Sequence, residues 1–258
     1  MAHDASQHPS HAPRHRISSY WERTQWPLQC LYFLMPLLVA YEVGTLVFAQ
    51  NAAGTLPRIR AEVLLNTVFE QLGVTSFYLP PLIVVAVLLT WHLIRRDAWG
   101  LEWPLYGFML VESVVLALPL LVFSAVLFRE PVAQAATLWS TELGKNLLLS
   151  LGAGLYEELV FRLILIALLH MLLVDLLALP AHWGAALAVL LSATAFGLYH
   201  FDHFDLLQWD LKQWRLMLFY TGAGVYFAAV YVLRGFGIVA ACHAIYDVVV
   251  VTATHLHT

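Results

Sequence analysis

Leu155-Tyr156-Glu157-Glu158-Leu159-Val160-Phe161-Arg162 places two adjacent carboxylates and a guanidinium in a run that is otherwise uncharged from Leu147 to Val174. Each ionised group at the centre of a bilayer costs roughly 2.5–3.5 kcal/mol on insertion scales. A chain that keeps three of them together has a partner for them, a use for them, or both. Glu158 and Arg162 are four residues apart, so on a helix they meet on one face and neutralise each other. Glu157 is rotated ~100° from that face and gains no partner from its own helix.

Composition sets the setting of this segment. The chain is 61% hydrophobic and 12% charged, with a mean hydropathy of +0.74. Soluble domains carry about 25% charged residues, so the reading is an all-α, polytopic transmembrane bundle. The 13 Lys and Arg residues are scattered and form no basic face, which argues against nucleic acid as a partner. Cys30 and Cys242 lie in apolar runs and read as small packing residues rather than a disulfide or a metal pair.

A span needs about 20 apolar residues. Seven runs qualify: Pro27–Gln50, Tyr78–Ile94, Leu105–Phe128, Leu147–Val174, Trp183–His200, Leu216–Leu233 and Phe236–Thr254. The fourth is longer than one straight span, so a tilt, an interfacial start or a bend near Gly152 and Gly154 is expected. If that run breaks in two, or the 51–77 segment dips into the bilayer, the count becomes eight. Residues 57–72 read as an amphipathic helix on the membrane surface, with Ile59, Val63, Leu64, Val68, Phe69 and Leu72 at helical spacing. Trp99, Trp103, Trp139, Trp183, Trp209 and Trp214 fall near span ends, as an aromatic belt should. Arginines before the first span and after the second favour a cytoplasmic N-terminus. Three regions follow: a polar, His-rich arm over 1–26 that reads as disordered, N-terminal spans over 27–142, and a core over 143–254. No cleavable signal peptide is visible, and the first span reads as an uncleaved anchor.

Two further polar sets lie on later spans: Phe196-x-x-x-His200 at the end of the fifth run, and His243-x-x-x-Asp247 inside the seventh. Taken singly, each has a structural reading, as an interfacial histidine or a hydrogen-bonded pair joining two helices. Taken together, one unpaired carboxylate and two imidazoles from three helices can converge in a bundle interior. That is the equipment of a water-activating hydrolytic site within the membrane. Glu42 and Glu112 read as structural hydrogen-bonding groups. His92 and His170 read as interfacial, and Asp202, His203 and Asp205 as a solvated loop. Gly222, Gly224, Ala228 and Ala229 read as a close-packing surface.

The ordered set Glu157-Glu158-x-x-x-Arg162, Phe196-x-x-x-His200 and His243-x-x-x-Asp247 resembles the CAAX prenyl endopeptidase and bacteriocin-processing (CPBP, or Abi) family of intramembrane proteases, over about residues 143–254. The resemblance implies an intramembrane endopeptidase that cleaves a membrane-anchored protein or propeptide. Glu157 would activate a water, and His200 would help to hold it. His243 and Asp247 would stabilise the oxyanion, with Asp247 fixing the histidine. Glu158, Arg162 and Phe196 would support them. In the last position the family more often carries Asn than Asp. A carboxylate with two histidines is also a zinc-ligand set, with His200 and His243 the candidates for zinc or another divalent metal. Zinc on Glu157 would leave only Glu158 as a base, and Arg162 occupies Glu158, so the expected mechanism uses no metal and no cofactor. The sequence has no His-Glu-x-x-His, Gly-x-Gly-Asp or Gly-x-Ser-Gly, which sets other intramembrane protease chemistries aside.

Two readings from other classes remain. A proton-coupled carrier would use the same intramembrane Glu, His and Asp groups as a relay, but would carry inverted repeats, and none is found. A non-catalytic scaffold would keep the cluster for folding. The expected setting is a prokaryotic plasma membrane.

Overall fold

A computed structural model of the chain describes residues 19–51, 58–74, 76, 78–128, 143–201 and 209–256. Every regular element among them is a helix: α1 (Tyr20–Arg23), α2 (Pro27–Asn51), α3 (Arg60–Gln71), α4 (Leu79–Arg95), α5 (Trp103–Phe128), α6 (Leu143–Leu176), α7 (Ala181–Tyr199), α8 (Leu211–Arg234) and α9 (Phe236–Leu256). Helices are what apolar sequence must form in lipid, where a backbone amide has no water to bond. Six are long and apolar enough to cross a membrane, and α4 is a shorter apolar helix. The seven expected runs are therefore all helical, and the protein is a polytopic helical bundle.

The outward faces confirm the solvent. Leu82, Val111, Val122, Val126, Leu190, Leu218 and Val232 are all exposed, an apolar surface that a soluble monomer rarely presents. At the bundle centre is α9, which is 72% buried where no other long span exceeds 39%. It packs against α2, α5, α6 and α8. One apolar core lies on the α2, α3, α4 and α6 side, with Tyr41, Leu88, Leu149 and Leu159. The other lies on the α5 and α8 side, with Met109, Phe219, Phe227 and Tyr246.

The long fourth run does not break. α6 continues from Leu143 to Leu176, and its middle widens into π-helical turns over Ala153–Glu157 and Leu159–Leu165. Its two glycines are contact points rather than bends. A Cβ on Gly154 would stand 2.5 Å from the Ala244 amide nitrogen and 2.6 Å from the Ala240 carbonyl oxygen. Only a residue without a side chain lets the α6 and α9 backbones touch there. Gly224 does the same for α8 against α7, at 3.0 Å from Ala193 Cα, in keeping with the packing surface expected around Gly222.

The remaining elements follow local chemistry. α8 starts with a capping box in which the Asp210 side chain accepts from the Gln213 backbone and the Gln213 side chain accepts from the Asp210 backbone. It ends at Gly235, whose φ of +87° suits glycine. Tyr20–Arg23 form a short helix. The Tyr20 hydroxyl donates to Glu112 (2.5 Å), which also pairs with Arg234. Glu112 thus has the structural role expected of it. His92 differs from expectation: it is buried, edge-on to Trp99 at 4.4 Å. The four histidines of the arm, Trp139, and the Asp202, His203 and Asp205 loop lie outside the described residues.

Helix α3 also differs from a simple surface helix. Ile59, Ala61 and Leu65 turn inward with Glu62, while Val63, Leu64, Val68 and Leu72 face outward. Glu62 is held by the Tyr41 hydroxyl (2.7 Å) and Arg58 (3.2 Å), and burial raises its carboxyl above the ordinary range. Glu62 thus ties α3 to α2 through Tyr41, as a buried carboxylate within an amphipathic helix.

Candidate active site

The Gly154 contact brings the Glu pair on α6 against the His-Asp pair on α9. Beside it, Gly197 lets α7 approach α8, since a Cβ there would stand 2.4 Å from Thr221 Oγ1. That approach stacks His200 on Tyr220, with centroids 4.1 Å apart and planes 15° apart. All four residues expected to react come together in the interior. Glu157 and His200 are 3% and 7% exposed, and His243 and Asp247 have no exposed surface.

The ion pair between Glu158 and Arg162 forms as the spacing predicts, at 3.1 Å. The guanidinium lies over the Phe196 ring, 4.1 Å from its centroid, and Nη2 reaches the Gly224 carbonyl at 3.5 Å. Phe196 therefore holds the cation by its ring face and stands edge-on to both His200 and His243.

Each histidine is fixed through Nδ1. His200 Nδ1 lies 2.8 Å from the Phe196 carbonyl. A carbonyl only accepts, so Nδ1 carries a proton and Nε2 is the free ring atom. His243 Nδ1 lies 2.8 Å from Glu158 Oε1. Glu158, shared with Arg162, thus holds the His243 ring through Nδ1, a partner that the spacing on α9 does not announce. Asp247 Oδ2 stands on the other side of the ring, 3.6 Å from Nε2. The spacing of His243 and Asp247 gave the shared helix face correctly, but the interhelical bond from α6 has no local signature.

Glu157 Oε2 faces His200 Nε2 at 3.9 Å and His243 Nε2 at 4.0 Å. None of these three atoms has a hydrogen-bond partner within the chain. Two atoms each about 2.8 Å from one oxygen come to this separation when they subtend a right angle there. Zinc ligands bind at about 2.0–2.1 Å and so stand about 3.4 Å apart around a tetrahedral ion. The observed separations are too long for that, and among the described residues no group of three His, Cys, Asp or Glu is arranged to hold a metal ion.

Three participants were not foreseen. The Tyr199 hydroxyl donates to Glu157 Oε1 at 3.3 Å. The Tyr156 hydroxyl donates to Glu42 at 2.5 Å, giving that residue the structural partner expected of it. Ser192 Oγ donates to the Phe161 carbonyl at 2.6 Å, tying α7 to the π-helical turn. The only sequence signal was position, since Tyr156 and Tyr199 directly precede Glu157 and His200.

Neither a curated protein nor a solved structure matches the chain. Residues 139–249 match the family described as Rce1-like: type II CAAX prenyl endopeptidase Rce1-like. The match spans the three motifs and most of α6 to α9. The match over residues 139–249 of this multi-pass chain supports the CAAX-protease (CPBP) family of intramembrane proteases that the three motifs resemble.

Proposed function

We propose that the protein is an endopeptidase that hydrolyses a peptide bond of a membrane-anchored protein or propeptide, with Glu157 as the base that activates water. The observation that carries this reading is the approach of His200 Nε2 and His243 Nε2 to Glu157 Oε2, at 3.9 and 4.0 Å, in a buried site where none of the three atoms has a hydrogen-bond partner in the chain. A water there donates one proton to Glu157 and the other to His200 Nε2, which leaves its lone pairs for attack. As the water oxygen adds to the carbonyl carbon, Glu157 takes the proton. The oxyanion that forms accepts from His243, which Glu158 orients and Asp247 flanks. Glu157 then returns the proton to the departing nitrogen, and the carbon–nitrogen bond breaks. Low dielectric around the site strengthens each of these interactions. Arg162, seated on the Phe196 ring, keeps Glu158 in place. No metal enters this scheme, and the setting proposed is a prokaryotic plasma membrane.

The test is a pair of proteins, wild type and Glu157→Gln, purified in detergent and given a panel of membrane-anchored peptides with and without a prenylated cysteine. Cleavage by the wild type that disappears in a folded Glu157→Gln protein supports the reading, and the panel shows the substrate class. Equal cleavage by both proteins removes Glu157 from the chemistry and overturns it.

A further inference from the structure

The two oxygens of the Glu157 carboxylate have different surroundings. Oε2 faces the two histidines, while Oε1 accepts from the Tyr199 hydroxyl at 3.3 Å. The terminal torsion of a glutamate is soft and roughly two-fold, so packing alone does not decide which oxygen points at the histidines. An anchor on one oxygen does.

Tyr199 is itself held firmly. Its ring stands edge-on to Phe161, 5.1 Å between centroids. Its carbonyl accepts from Arg60 Nη1 at 3.0 Å. Arg60 opens helix α3, which lies outside the spans. This helix therefore grips Tyr199 at its carbonyl, and Tyr199 passes that hold to Glu157.

Resting on the proposed hydrolytic role of Glu157, we infer that Tyr199 is a positioning residue: its hydroxyl fixes Glu157 Oε1 so that Oε2 meets the water, and helix α3 holds Tyr199 in place for that purpose. The amphipathic helix is thus part of the active-site framework.

The experiment compares wild type, Glu157→Gln, Tyr199→Phe and Arg60→Gln on the panel peptide that the wild type cleaves fastest, with thermal unfolding in detergent alongside. Tyr199→Phe keeps the ring against Phe161 and removes only the hydroxyl. The expected result is a fall in kcat of about tenfold or more, the scale of a lost hydrogen bond to a charged group, with KM and unfolding temperature unchanged. Arg60→Gln, outside the spans, lowers kcat by a smaller factor in the same way. An inactive Glu157→Gln beside a Tyr199→Phe protein with wild-type kcat overturns the inference and spares the proposed function. So does a loss confined to KM or to stability. An active Glu157→Gln protein instead removes the function on which the inference rests.

Discussion

Gly154 on α6 and Ala244 on α9 are in backbone contact: a Cβ on the glycine would stand 2.5 Å from the alanine nitrogen. Everything that reacts depends on this approach, because Glu157 lies one helical turn beyond the glycine and His243 directly precedes the alanine. Gly154→Ala is therefore expected to force the two helices apart. Overpacking costs about 1–3 kcal/mol, and backbone on the receiving side puts this case at the upper end. Turnover should fall to background. Gly107→Ala is the control, since a Cβ there meets nothing within 4 Å and should leave both unfolding temperature and turnover unchanged.

Glu158 serves two partners, Arg162 at 3.1 Å and His243 at 2.8 Å. Glu158→Gln leaves a buried guanidinium without its counter-charge, which costs about 3–5 kcal/mol. Thermal unfolding in detergent should show a large loss. Adding Arg162→Met should recover part of it, because the stranded charge is gone. A double variant no more stable than Glu158→Gln would show that the pair is not the source of the effect.

Asp247 should matter less to the histidine than its spacing implies. With Nδ1 held by Glu158, Asp247→Asn keeps the ring oriented, and kcat should fall by less than in His243→Gln. Loss of an oxyanion donor costs about 10²–10³ in kcat, and that is the expectation for His243→Gln. Single-turnover rates of the two variants decide the order. The reverse order would return the orienting role to Asp247.

Donor separations of 3.9 and 4.0 Å lead to a prediction about metals. Purified active protein should hold no stoichiometric zinc by elemental analysis, and dialysis against a chelator should leave turnover intact. Stoichiometric zinc, with activity lost on chelation and restored by metal, would contradict the water-only scheme.

Glu62 gives a pH dependence with a definite sign. Burial raises its carboxyl in the folded protein, outweighing the opposing pull of Tyr41 and Arg58. The folded state therefore holds the proton more tightly than the unfolded state. Its contribution to stability is complete below the ordinary carboxylate range and is lost as pH rises through the elevated value. Unfolding temperature measured across this acidic window should decline with pH more steeply in wild type than in Glu62→Gln. Identical slopes would remove Glu62 as the cause.

Much of this was legible in the sequence. The spans follow from runs of apolar residues, and the ion pair of Glu158 with Arg162 from a spacing of four. Convergence of Glu157, His200 and His243 followed from their being costly groups on three apolar helices. The bond from Glu158 to His243 was not legible, because it joins residues 85 positions apart and depends on how α6 is rotated against α9. The inward turn of Glu62 was hidden for a similar reason: its partner, Tyr41, belongs to another helix. His92 was read as interfacial from its place near a span end, but Trp99 folds back over it.

The ion pair of Glu158 with Arg162 also bears on how the protein is made. Because both residues belong to one helix, their charges cancel as soon as α6 forms, before any neighbour arrives. The segment can then pass from the insertion machinery into lipid carrying one unmatched carboxylate instead of three ionised groups. Glu157 alone has to wait for α7 and α9, so assembly of the bundle is also the step that first encloses the group proposed to do the chemistry.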